Sequence, residues 1–130
     1  MRALEPAERE LLDWFLGRDT AWARAAREAL RDTEVVGACG CGCGTLQLSV
    51  DPEAAAVGLP QPLPLEGLAP AAGGGVVNVQ LYVEPARALL ELVWAPEPPQ
   101  PVALPRAGEL EIAPWSRGSP LVAGSGSSAA

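Results

Sequence analysis

Cys39, Cys41 and Cys43 are the residues whose type and spacing could do chemistry. They occupy alternate positions in "VVGACGCGCGTLQLSV", residues 35–50. Three thiolates held together suit a soft ion such as copper(I), or zinc(II) with a fourth ligand. The interleaved glycines would let the backbone wrap around an ion. The chain has no histidine and only 3 cysteines, so a zinc site would need Asp51, just downstream, or a second chain. Strict alternation opposes such a site. It would put the thiols in a row of about 13 Å, because each two-residue step of a strand is about 6.6 Å. A metal site therefore requires the glycines to break the strand and curl the chain.

Other thiol chemistries fare worse or equal. A disulfide between neighbours in C-x-C would have Cα atoms near the upper limit of about 6.8 Å, with almost parallel Cβ vectors. A redox or nucleophilic thiol lacks a histidine base and would need an arginine or a helix N-terminus to lower its pKa. The simplest reading treats cysteine as a small apolar residue, with glycines serving a bulged entry to a sheet and no bound ion. Copper(I) and zinc thus stand as the alternative to no cofactor at all.

Catalytic constellations are missing. Ser-His-Asp chemistry needs a histidine. "GCGCG" and Gly73 to Gly75 lead into strands rather than helices, so neither is a phosphate cradle. Glu5, Glu8 and Glu10 sit where a helix begins and complement its dipole. No catalytic or cofactor-binding residue emerges, and an enzyme is disfavoured. Tyr82, Trp94 and Trp115 could form a recognition patch, although Trp94 falls on the predicted core face.

The elements that must position these residues change period along the chain. Pro6 suits the first turn of a helix. Leu11, Trp14 and Phe15 then form one stripe up to Gly17, a ready C-cap. Asp19 or Thr20 can cap a second helix carrying Trp22, Ala26, Ala29 and Leu30 on one face. After residue 33 the period becomes two. Leu46, Leu48 and Val50 oppose Thr45, Gln47 and Ser49. Val77, Val79, Leu81 and Val83 oppose Val76, Asn78, Gln80 and Tyr82. Leu90, Leu92 and Trp94 oppose Leu89, Glu91 and Val93. A weaker piece sets Leu110 and Ile112 against Glu109 and Glu111. These patterns predict an α+β fold: two N-terminal helices packed on one face of a four-stranded, mostly antiparallel sheet. Leu46, Leu48, Val79, Leu81, Leu90 and Leu92 should be buried against Leu11, Trp14, Phe15 and Leu30. Residues 1–113 read as one domain with a Pro/Gly-rich loop at 52–75, in which a short edge strand near Leu63 to Glu66 is one alternative. "PEPPQP" at 96–101 reads as a stiff connector, and residues 114–130 as a flexible tail.

One resemblance follows from these residues. A helical N-terminal region, V-x-G-x-C-G-C-G-C from Val35 to Cys43, the alternating Leu46-Gln47-Leu48 and a later hairpin resemble a family of small uncharacterised proteins of high-GC bacteria. Gly44-Thr45 stands where that pattern often has Pro-Ser. The resemblance implies no particular activity.

Composition bounds the rest. The net charge is −7, with 16 acids and 9 arginines and no lysine. So acidic a chain is repelled by phosphates, which disfavours nucleic acid and anionic membranes as partners. No apolar run reaches the length of about 18 residues that spans a bilayer. The N-terminus lacks a signal peptide's apolar stretch, so the expected location is the cytoplasm, where thiols stay reduced. The leading expectation is a non-catalytic interaction or accessory domain, with a protein partner or a homo-oligomer. Thiolate metal binding or sensing through Cys39, Cys41 and Cys43 is the first alternative, and a thiol redox protein the second.

Overall fold

Pro6 opens helix α1 (Pro6–Leu16) where its missing N–H leaves no bond unmade. The Glu8 carboxylate accepts a hydrogen bond from the backbone N–H of Glu5 at 2.8 Å, which satisfies one of the free donors of the first turn. Leu11, Leu12, Phe15 and Leu16 are buried. The helix stops at Gly17, whose N–H donates to the Asp13 carbonyl at 2.8 Å. Thr20 caps α2 (Ala21–Ala29), its hydroxyl accepting from the Ala23 N–H at 3.3 Å. The buried face of α2 is Ala23, Ala26 and Ala29, small enough to let the helix lie close to its neighbours. Arg27 ties the two helices by donating to the carbonyls of Leu16 and Arg18.

The computed structural model describes residues 1–38, 45–56, 63–71, 74–96 and 103–112. Within them lie strands β1 (Arg2–Ala3), β2 (Glu34–Ala38), β3 (Leu46–Leu48), β4 (Leu63–Pro70), β5 (Val76–Val83), β6 (Ala88–Ala95) and β7 (Glu111–Ile112), with a short helix α3 (Pro52–Ala55) and a 3-10 turn at Ala107–Glu109. They form one sheet in the order β1-β2-β3-β6-β5-β4-β7, every pairing antiparallel. The fold is α+β, with the two N-terminal helices sharing a core with one face of this sheet. The expected register holds. Leu46, Leu48, Val79, Leu81, Leu90 and Leu92 are buried with Leu11, Phe15 and Leu30, while Trp14 is only half-buried against them.

The sheet has seven strands rather than the expected four. β1 is two residues long, too short to show a period. β2 is interrupted by a bulge: Val35 pairs with Leu48 but Gly37 with Gln47, so Val36 is an extra residue that breaks the alternation. β4 is the largest correction. Residues 52–75, expected as one Pro/Gly-rich loop with at most a short edge strand, hold α3 and eight residues of β4 paired along their whole length with β5. Pro64 and Pro70 are tolerated because β7 covers β4 only at Gly67 and Leu68, leaving one side of the strand free of pairing at both prolines. Gly67 has its own reason. A Cβ there would come within 2.9 Å of the Trp14 ring, so the indole rests directly on the strand backbone. β7 itself is shorter than the "ELEI" alternation suggests, because Ala107–Glu109 turn as a 3-10 helix first.

The two outermost strands are both fastened to α1. Arg2 of β1 makes a bidentate pair with Glu8, both contacts at 2.8 Å. Arg106, ahead of β7, pairs with Glu10 at 3.0 and 3.2 Å, and the Ala107 N–H donates to the same carboxylate at 2.8 Å. The guanidinium of Arg2 holds the Glu8 carboxyl below the usual carboxylate range, and Arg106 does the same for Glu10.

Candidate functional site: the outer face of the sheet

Cys39, Cys41, Cys43 and Trp115 lie outside the described residues, as do the tail 114–130 and residues 97–101 of the connector. The flanks of the cysteine-bearing stretch are defined. Ala38, the last residue of β2, pairs with Leu46, the first of β3. Asp51 is engaged elsewhere. It lies past the opposite end of β3, where its Oδ1 accepts the N–H groups of Glu53 at 3.0 Å and Ala54 at 3.4 Å as the cap of α3. Among the described residues no three histidine, cysteine, aspartate or glutamate side chains converge on a common point.

A polar depression beside the end of α2 is lined by Glu28, Arg31, Asp32, Thr33, Ser49 and Asp51. Much of its polarity is spent internally. The Thr33 hydroxyl donates to the Ser49 carbonyl at 2.7 Å, the Ser49 hydroxyl accepts from the Glu34 N–H at 2.9 Å, and Arg31 pairs with Glu28. This corner joins helix to sheet.

The face of the sheet turned away from the helices is different, and its layout follows from the strand register. Side chains alternate across a strand, so residues opposite one another form rungs. One rung runs Gln47, Leu89, Tyr82, Pro64 across β3, β6, β5 and β4. The next is Glu91, Gln80, Glu66, and the third Val93, Asn78, Leu68, Glu111. Val76 follows near the end of β5, beside Ala95 and Pro70. Val93 is 49% exposed and Val76 39%. Tyr82, Leu89 and Leu68 are half-buried. A shallow depression of about 260 Å³ lies over Pro64, Glu66, Gln80, Tyr82, Leu89 and Glu91.

Among the described residues, the strand positions of this face carry charge of one sign. Glu66, Glu91 and Glu111 occupy it, and Glu34 extends it on β2, next to inward-facing Val35. No strand position of this face among the described residues carries an arginine; Arg2 is turned to the helix side by its pair with Glu8. The buried Oδ1 of Asn78 accepts no hydrogen bond from the described residues.

The sequence separates Gln47, Gln80, Tyr82, Leu89, Glu91 and Val93 from the core face, and the structure puts them together here. Tyr82 belongs to this surface, whereas Trp94 packs against the core. The loop expected over 52–75, with a short edge strand near Leu63 to Glu66 as one alternative, assigns Pro64, Glu66 and Leu68 to no face. The only sign of them in sequence is Leu65, Gly67 and Ala69 at every second position.

The chain matches no family model, no curated protein and no solved structure. What it shares with other proteins is its class, an antiparallel sheet with two helices on one side. No helix among the described residues is long and apolar enough to cross a membrane.

Proposed function

We propose that this is a non-catalytic docking domain that binds a short segment of a protein partner on the outer face of its sheet. The observation that carries this reading is the exposure of Val76 and Val93 on a face where Tyr82 and Leu89 already sit half-buried. Size decides between a segment and a whole domain. β4, β5 and β6 have eight residues each. At about 3.4 Å per residue and 4.8 Å per strand they offer a platform of roughly 400 Å². A standard interface uses about 800 Å² per partner. A photo-crosslinking residue at position 93, in cells that make the protein, should give one discrete adduct, and the same residue at Glu53 should give none. A synthetic copy of the crosslinked segment should then compete with the adduct. Equal crosslinking from both positions would defeat the proposal.

The pairing of Ala38 with Leu46 favours a second reading, thiolate metal binding by Cys39, Cys41 and Cys43. Both ends of the cysteine-bearing connection are held one strand spacing apart. Three thiolates gathered on one ion between them would suit copper(I), or zinc with a ligand from another molecule. Thiol alkylation tests this. Protection relieved only by a chelator supports a bound ion, and three independently reacting thiols refute it.

A further inference from the structure

The outer face specifies the chemistry of its occupant, an inference that rests on the docking reading above. We infer that the docked segment seats an apolar residue on one corner of this face, around Val76 and Val93, and carries a basic residue on each side of it.

The corner follows from the strand register. Val93 and Leu68 lie in one rung, and Ala95, Val76 and Pro70 in the next. Val93, Ala95, Val76 and Pro70 are exposed, and Leu68 is half-buried. Asn78 lies between Val93 and Leu68 with its Oδ1 buried, and the five side chains around it are apolar. Three strands and two rungs measure about 14 Å in each direction, an area of roughly 200 Å². A stable dimer needs about 800 Å² from each copy. The corner is therefore too small for a second copy of this chain and the right size for one apolar side chain and its neighbours.

Two carboxylates border the corner. Glu91 precedes Val93 by two residues on the same face of β6, and Glu111 of β7 stands opposite Leu68. The five ion pairs among the described residues take up Glu8, Glu10, Asp19, Glu28 and Glu84, none of them a strand position of this face. Glu91 and Glu111 have no ion-pair partner among the described residues. Water solvates both in the free protein. A segment that settles on the corner strips part of that water away, and a neutral or acidic segment would leave both charges uncompensated. A basic segment compensates them and is also drawn to a chain of net charge −7.

The spacing is within reach of a short peptide. Counted in strand spacings and rungs, each carboxylate-bearing position is roughly 10 Å from the middle of the corner. An extended chain covers that distance in about three residues. Each cation meets a single carboxylate, so lysine and arginine serve equally.

A library of random dodecapeptides selected against the full chain at low salt tests the inference. Selected peptides should carry an apolar residue between basic ones. Binding of a synthetic representative should weaken as salt rises from about 0.05 M to about 0.5 M. Glu91→Gln and Glu111→Gln should each weaken it about threefold, the scale of an exposed ion pair, and Glu53→Gln, away from this face, should not. Glu91→Lys combined with Glu111→Lys should reverse the preference, so that the peptide with its basic residues replaced by glutamate binds better than the original. Val93→Asp should weaken binding of the original by about tenfold or more, the scale of a lost apolar contact, although it adds a charge that attracts basic residues. Binders that the charge reversal leaves unchanged, yet are lost on Val93→Asp, would overturn the basic-segment inference and leave the docking face standing. Binders indifferent to Val93→Asp, or a selection that yields none, would overturn both.

Discussion

The two faces of the sheet are built by the same strands and differ in what they ask of a side chain. On the helix side, Val77, Val79, Leu81 and Val83 of β5 are all fully buried, with Ala88 and Leu90 of β6 beside them. On the other side, Asn78, Gln80 and Tyr82 alternate with them and stay partly open to water. The difference teaches where each kind of information sits. One face holds the fold together through area and shape. The other is free of that duty, and its charge pattern is therefore open to another use.

Breaking the inner face should have the largest effect. Leu81→Ala or Leu90→Ala leaves a cavity among residues of 0% exposure and should lower unfolding free energy by about 2–5 kcal/mol, measured by denaturant titration. Val93→Ala on the outer face should stay within about 0.5 kcal/mol. Equal losses would mean that the faces are not functionally distinct.

Gly67→Val comes next. The added side chain meets the Trp14 ring, whose nearest atom lies 2.9 Å from the Cβ position. The expected destabilisation is about 1–3 kcal/mol, the range for overpacking. Trp14→Leu should relieve part of it in a double-mutant cycle. Additive losses would show that the indole does not rest on this strand.

Acid should act on the helix side first. Glu8 is buried and paired with Arg2, which holds its pKa below the unfolded value. The stability from that depression is fully present above the unfolded pKa of about 4.3 and is lost as pH falls through the lower folded value. Stability measured from pH 5 downwards should therefore drop less steeply in Glu8→Gln than in the parent chain. Identical slopes would exclude Glu8 as a source of the acid sensitivity.

The smallest effect belongs to Arg106→Gln. Its pair with Glu10 is exposed on the arginine side, so loss of the pair should barely change stability in 1 M salt and should be visible only at low ionic strength. A salt-independent loss would point to packing rather than charge.

Much of the scaffold is legible in the residues. The stripe of Leu11 and Phe15 between Pro6 and Gly17 defines α1, and Thr20 defines the start of α2. Strict alternation defines β3, β5 and β6 and tells inside from outside. What escapes is the structure whose signal is local in the wrong sense. β4 has prolines and a glycine that each speak against a strand, and only pairing to β5 overrides them. β2 loses its period to the bulge at Val36. The outer surface is half legible for that reason. Gln80, Tyr82 and Glu91 lie on alternating strands, whereas Glu66 becomes visible only once β4 is paired.

Glu8 and Glu10, two positions apart on α1, fasten the two outermost strands of the sheet. The partner of Glu10 lies 96 residues further along the chain. A ribosome makes α1 well before the segment that closes on it, which comes near the end of the described fold. Until β5 and β6 are made, Leu11, Leu12 and Phe15 lack the central strands of the sheet with which they share a core. Contacts of such long sequence separation slow folding, so nascent chains stopped before residue 76 should be protease-sensitive at α1, and they should engage holding chaperones that the finished chain ignores.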